Sequence, residues 1–390
     1  MAMVVAIVVS FALLSLTIYF HSSPSDSPSF SSFSFTPSCP PGFVAFGNSL
    51  TDTGNKLHLV PSLTASGNPP YGRTFFQRPT GRFCDGRLVV DFLAESFGYP
   101  FLYPYFNNSG ADFRHGANFA IAGSTANLEV VSPLTLPVQV DEFILLKEQA
   151  LLTENLSQSA TANSQLPKRS FFKEALYIVG EIGENDLRNA ILILNLSIPQ
   201  VESTIVPQAV AAIIQSAKRL YAEGAKNFLF VGILAQGCSA YTVTLFSTHS
   251  PDELDSLGCL KSFNSLVQVF NSQLQSAVEE LKQQIPGAAI VFADYYSASM
   301  AIFSNPSKYN FSTRLKLHAC CGIGGKYNFD PDRRCGLAAV NVCSDPSIYI
   351  NWDGIHFTEA FYRTIAKFFL SGQFLDPPIN LINSCSLLPI

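Results

Sequence analysis

The run Phe43-Val44-Ala45-Phe46 is apolar without a break, stops at Gly47, and is followed two residues on by Ser49. So short an apolar run, ended by a glycine, reads as a strand buried on both faces. That points to an α/β sheet covered by helices. Ser49 then stands on the turn beyond the strand, at the sheet edge where open α/β sheets bind ligands. Taken alone, such a serine reads as a helix N-cap.

The far end of the chain changes that reading. It contains Asn351-Trp352-Asp353-Gly354-Ile355-His356-Phe357-Thr358-Glu359. A serine hydroxyl becomes nucleophilic when a base takes its proton, and the base needs a third group to orient it. Asp353 and His356 lie three residues apart across a turn containing Gly354, so the carboxylate can reach the imidazole Nδ1. Thr358 suits the N-cap of the amphipathic segment Glu359–Leu370, which would hold His356 just ahead of a helix. A serine on a strand-end turn together with Asp-x-x-His reads as a catalytic set. Because that set draws on both ends of the 390-residue chain, it argues for a single domain over 39–390, although the length allows two or three.

Between these ends, strand-like runs alternate with segments of helical period. Ala175–Val179, Asn227–Val231 and Ala288–Ala293 read as strands, and Val201–Glu223 and Phe263–Gln284 as helices. Gly224 and Pro286-Gly287 are the stops. This alternation predicts a mainly parallel sheet with helices on both faces. The apolar fraction of 47%, with 33 Phe, supplies a large core. A net charge of −5 gives no support for nucleic-acid binding. Gly322-Ile323-Gly324-Gly325-Lys326 lacks the spacing and the Ser/Thr of a phosphate loop, and reads as a loop tethered by disulfides.

Four segments in order resemble the blocks of the plant GDSL esterase/lipase family of the SGNH hydrolase superfamily. They are Gly47 to Asn55, Gly116 to Thr125, Gly183-Glu184-Asn185-Asp186, and Asp353 to His356. The resemblance implies a three-layer α/β/α sandwich with a central, mainly parallel sheet (SGNH/flavodoxin-like). It also implies Ser49 as nucleophile, His356 as general base and Asp353 as its orienting carboxylate. The oxyanion hole it implies comprises the backbone N–H groups of Ser49 and Gly123 and the side-chain amide of Asn185, with Gly116 as a rival to Gly123. Preorganised donors of this kind stabilise the charge that acyl transfer builds. No metal or organic cofactor is implied. Asn48 stands where the family usually has Asp, which keeps the shape but exchanges a charge for two donors; the expectation is a working site with an altered pH profile or rate. His115, beside the second block, is expected to serve the pocket or the structure.

Pro69-Pro70-Tyr71-Gly72, Arg78 to Asp91, Phe113 to Gly116 and Cys320 to Gly336 most resemble the acetylajmalan-esterase-like members of the family. The expected activity is hydrolysis of a carboxylic ester, with a small acyl or aromatic ester of a plant specialised metabolite, such as an acetylated alkaloid, as substrate. The alternatives are an acyltransferase using the same acyl-enzyme with an acceptor alcohol, and a non-catalytic binding protein on the same fold. The partner is a small-molecule ester, and the chain carries nothing that bears on subunit number.

Ala2 to Phe20 is almost continuously apolar, so residues 1–23 read as a signal peptide, with a signal-anchor as the alternative, and 24–38 form a Ser/Pro-rich linker. Sequons at Asn107, Asn155, Asn195 and Asn310 predict glycosylation. Secretion, or delivery to the vacuole by the same route, is expected, without stable membrane association once the signal is removed. Nine cysteines in an exported chain predict disulfides with one left over, and the adjacent Cys320 and Cys321 are expected each to pair elsewhere, or one of them to stay free.

Overall fold

The computed structural model describes residues 39–390 apart from 108, 129–130, 157–163, 248–249, 338, 382–384 and 386. The signal or anchor expected at 1–23 and the linker at 24–38 lie outside the described residues. A six-stranded sheet runs in the order β2-β1-β3-β4-β5-β8. Its strands are β1 (Phe43–Phe46), β2 (Gly116–Asn118), β3 (Leu176–Val179), β4 (Asn227–Val231), β5 (Ala289–Ala293) and β8 (Leu375–Asp376). The first five are parallel, and β8 closes the edge antiparallel to β5. A separate two-stranded ladder pairs β6 (Cys321–Gly322) with β7 (Asn341–Val342).

The two faces of the sheet divide the core by the period of two that any strand imposes. Val44, Phe46, Tyr177, Val179, Phe228, Phe230 and Phe292 face one layer, made by the helices Leu136–Leu156, Val206–Ala222 and Lys261–Gln284. Phe43, Ala45, Ile178, Leu229, Val291 and Ala293 face the other, made by Val89–Ser96, Tyr295–Ser304 and Glu359–Leu370. This is the expected α/β/α sandwich. Strands buried on both faces have no polar side to show, hence the unbroken apolar runs.

The sequence-read strands differ from the observed ones by at most one residue at the start. The helix expected over Val201–Glu223 is divided, with one π-type turn at Val201–Ile205 before the regular helix Val206–Ala222. Four disulfides pair Cys39–Cys385, Cys238–Cys259, Cys320–Cys343 and Cys321–Cys335, and Cys84 is free and buried. The two adjacent cysteines thus pair apart, and the Cys321–Cys335 disulfide brackets the glycine-rich loop, which is tethered as expected.

Candidate active site

Strand order reverses around β1, which has β2 on one side and β3 on the other. In-register pairing of Phe46 with Val179 sends the chain out of both strands at the same sheet edge. Such a switch point opens a crevice at the carboxyl ends of the strands. Gly47 leaves β1 with φ of 141°, a conformation that favours glycine. Its N–H and C=O are both held by the buried amide of Gln139, at 2.9 and 2.8 Å. The next residues form a tight turn, with Thr51 and Asp52 N–H donating to Asn48 O, and Ser49 projects from it into the crevice.

From the other end of the chain, Asp353 and His356 meet this serine. His356 Nδ1–H donates to Asp353 Oδ2 at 2.7 Å, and Nε2 lies 2.8 Å from Ser49 Oγ. With Nδ1 protonated, Nε2 carries the lone pair and accepts the serine O–H. Gly354, between them, has φ of 93°, and a Cβ there would lie 2.3 Å from the Phe329 ring. Thr358 caps the following helix by accepting from Phe361 N–H, as its position suggested. Asp353 Oδ1 takes the N–H groups of Ile355 and His356, and Oδ2 takes the Tyr71 hydroxyl at 2.7 Å. Burial alone would raise the Asp353 pKa, but the His356 charge and these donors bring it down to about 2. The carboxylate therefore stays ionised at any ordinary pH.

Ser49, Gly123 and Asn185 line the same crevice. The backbone N–H groups of Ser49 and Gly123 donate to no acceptor among the described residues. Asn185 Nδ2 spends one hydrogen on Ser124 O at 2.8 Å, and Arg188 holds its Oδ1, which turns the amide nitrogen in one direction. Gly123 has φ of 87° with open space where a Cβ would be, so its glycine serves the backbone conformation. The rival Gly116 is buried in β2, and its N–H is bonded to Phe113 O at 2.8 Å. It has no donor to offer. His115 is likewise away from the crevice: its Nδ1 bonds Pro41 O, its ring stacks on Tyr99, and its carbonyl receives Phe43 N–H at the start of β1.

The remaining block residues lock the segments together. Buried Asp52 accepts from the N–H groups of Gly54, Asn55, Lys56 and Ala122, joining the first block to the second. Asn55 donates to the carbonyls of Asn118 and Ala120, and Asn118 donates to Thr51 O. Asp186 receives the N–H groups of Ala126, Asn127 and Leu128, yet burial still pushes its carboxyl up to about 6.

Asn48 donates from Nδ2 to Glu181 Oε2 at 2.7 Å, and accepts from Leu50 N–H. Burial pushes the Glu181 carboxyl up to about 8, with the Glu184 charge adding to it against the Asn48 hydrogen bond and the Arg188 charge. Tyr71, Gln139, Glu181 and Arg188 were not singled out for the site from the sequence. Of these only Tyr71 stands in one of the segments quoted above, and nothing local marks its partner. Among the described residues, no group of three His, Cys, Asp or Glu is placed to hold a metal.

An α/β/α sandwich with a serine, a histidine and an aspartate linked by hydrogen bonds at its switch point defines an α/β protein with a site of the serine-hydrolase type. Residues 43–369 match the family model described as GDSL-like Lipase/Acylhydrolase. A GDSL esterase/lipase of Arabidopsis thaliana is 40% identical over 351 residues, covering 86% of this chain and 83% of the relative. An esterase of Hevea brasiliensis is 38% identical over 363 residues, with 88% and 89% covered. A GDSL esterase/lipase of Medicago truncatula is 39% identical over 362 residues, with 88% and 90% covered. The chain belongs to the GDSL lipase/acylhydrolase family and is a carboxylic ester hydrolase. Among solved structures, a phospholipase A1 from Streptomyces albidoflavus aligns with a TM-score of 0.32 and 11% identity, over 74% of this chain and 90% of its own.

Proposed function

We propose that Ser49 is the nucleophile, His356 the general base and Asp353 its orienting carboxylate, acting on a small acyl or aromatic ester of a plant specialised metabolite. The observation that carries this reading is the continuous path of hydrogen bonds from Ser49 Oγ through His356 to Asp353 at the floor of the crevice. His356 Nε2 takes the serine proton as Oγ bonds to the carbonyl carbon, and ionised Asp353 stabilises the imidazolium. The proton passes to the departing alcohol oxygen, leaving an acyl-enzyme. Water attacks it with the same base and releases the acid. The N–H groups of Ser49 and Gly123 and the free hydrogen on Asn185 Nδ2 are the donors for the tetrahedral oxyanion.

The crevice holds about 260 Å³, below the range usual for drug-sized ligands, which favours a small acyl group or a single ring over a long lipid chain. A protonated alkaloid would sit against Lys56, Arg188 and Arg334, so neutral or anionic members of that substrate class suit the crevice better.

Passage through the secretory pathway belongs to the same proposal. Eight of the nine cysteines are in disulfides, which persist in oxidising compartments. Asn155, Asn195 and Asn310 are exposed and Asn107 is half-buried. Among the described residues no helix is long and apolar enough to cross a membrane.

The test compares turnover of short-chain chromogenic esters by the wild-type protein and by Ser49→Ala. A loss of at least about 10³-fold in kcat is expected. Turnover that survives in Ser49→Ala would sink the assignment.

A further inference from the structure

Beyond the reacting trio, the wall of the crevice is cationic. Lys56, Arg188 and Arg334 line it, and the only carboxylate among its described lining residues is Asp353. The Asp353 oxygens are already taken by His356, Ile355 and Tyr71. This reverses the balance of the whole chain, which has 24 Lys and Arg against 29 Asp and Glu.

Two of the cations converge on one ring. The guanidinium carbons of Arg188 and Arg334 lie 5.4 and 5.8 Å from the centroid of Tyr241. Tyr241 is buried, and its N–H donates to Gly354 O at 2.8 Å, inside the Asp353–His356 turn. Arg334 precedes Cys335, whose disulfide to Cys321 anchors its loop. Glu184 partly neutralises Arg188 at 3.2 Å, whereas Lys56 and Arg334 form no ion pair among the described residues. The Arg334 charge reaches the site, since it works against the other influences on the Tyr71 hydroxyl. Lys56 and Arg188 are half-buried and Arg334 is exposed; like charges along one wall repel one another, and that repulsion is relieved when an anion enters. Guanidinium forks match the geometry of a carboxylate.

We propose that this wall is an anion subsite. The ester that reaches Ser49 carries a carboxylate, or an oxyanion of the same shape, beyond its reacting carbonyl. Arg334 and Lys56 receive that group, with Arg188 behind them. The inference rests on the Ser49–His356–Asp353 reading, and it narrows the substrate class to anionic esters.

Two matched pairs of esters test it and distinguish the side that bears the charge. 4-Acetoxybenzoate and 4-acetoxybenzamide differ by a charge on the alcohol part. Mono-(4-nitrophenyl) adipate and 4-nitrophenyl hexanoate differ by a charge on the acyl part. In at least one pair the anionic ester is expected to show a KM about tenfold lower, with a small effect on kcat, and an advantage that shrinks with added salt. The ratio of kcat/KM for the anionic over the neutral ester should fall about tenfold in Arg334→Gln and less in Lys56→Gln, with Arg334→Lys recovering part of it. Calorimetric binding of 4-hydroxybenzoate and 4-hydroxybenzamide, and of adipamate (the monoamide of adipic acid) and hexanamide, to Ser49→Ala reads the subsite without turnover. Equal affinities and equal KM values in both pairs, or a preference indifferent to Arg334→Gln, would overturn the proposal. If none of the four esters is hydrolysed while the anions still bind more tightly, the subsite stands and the Ser49 mechanism falls.

Discussion

Asp353 Oδ2 takes two donors at once, His356 Nδ1 and the Tyr71 hydroxyl, each at 2.7 Å. A second donor fixes the carboxylate in the plane the imidazole needs, and it helps to hold the group ionised. Removing it in Tyr71→Phe should lower kcat about tenfold on short-chain esters. The folded-state pKa of Asp353 is depressed, so its contribution to stability is present above the ordinary Asp value and is lost as pH falls through about 2. In Tyr71→Phe the folded-state pKa should rise, so this contribution should be smaller and its loss complete at higher pH, and acid unfolding followed by circular dichroism should set in at higher pH. Behind Ser49, Glu181 shows the opposite sign. Its raised pKa means that stability is greatest below the ordinary Glu value and declines as pH rises towards about 8. Glu181→Gln should flatten that decline in urea unfolding between pH 4 and 9. Asn48 explains how the chain tolerates this buried acid, since its amide donates where the family's usual Asp would place a second carboxylate. Asn48→Asp should therefore cost about 2–4 kcal/mol at pH 8 and clearly less at pH 5, by the same unfolding measurement. Equal costs at the two pH values would remove Glu181 from the explanation.

Elements bring these residues together through contacts that no local pattern displays. The helix Leu136–Leu156 presents Gln139 to the end of β1, 92 residues away, where it is the partner of Gly47 N–H and shares Gly47 C=O with the Ile121 N–H. Gln139→Leu would leave the buried Gly47 N–H unpaired, while its C=O keeps only the Ile121 N–H. A loss of about 1–3 kcal/mol is expected, together with a lower kcat as the Ser49 turn loosens, and thermal unfolding and ester kinetics check both. This helix escaped the sequence reading for a physical reason. Leu145, Leu152 and Leu156 are exposed while Phe143, Leu146 and Ala150 are buried, so its apolar residues surround the axis and give no stripe. By contrast, Glu359–Leu370 has a clean apolar face and a Thr cap, and it was read to the residue. Strands β1 and β4 are equally legible because burial on both faces leaves β1, and β4 after Asn227, uniformly apolar. β2, with three small or polar residues, and β8, with two residues, carry too little pattern to be seen. The segments Arg78 to Asp91 that suggested a relationship within the family prove to be fasteners. Arg82 forms a two-pronged pair with Asp91, and Arg87 with Asp85 clamps Glu359 at the start of the helix after His356.

On the scale of the molecule, the Cys39–Cys385 disulfide ties together residues 346 apart in sequence, near the two ends of the described chain. Replacing both by Ser should lower stability by about 2–4 kcal/mol, read from denaturant unfolding under oxidising conditions. The core should tolerate the change, because both layers pack on the sheet independently of that link. What the amino-acid order determined by itself was the material that needs only neighbours. Uniform apolar runs announced a doubly covered sheet, Gly47 and Gly354 marked the turns, and the spacing of Asp353 and His356 allowed their hydrogen bond. Those features arise from backbone geometry within a few residues. Only the tertiary structure decided which groups from remote segments would share one crevice. Tyr71 lies 282 residues from Asp353, and Asn48 lies 133 from Glu181. Lys56, Arg188 and Arg334 come from three separate loops and helices to form one wall. Contacts of that kind are set by the register of the parallel strands and the packing of helices on them, and a side chain's neighbours across a sheet edge leave no periodic trace along the chain.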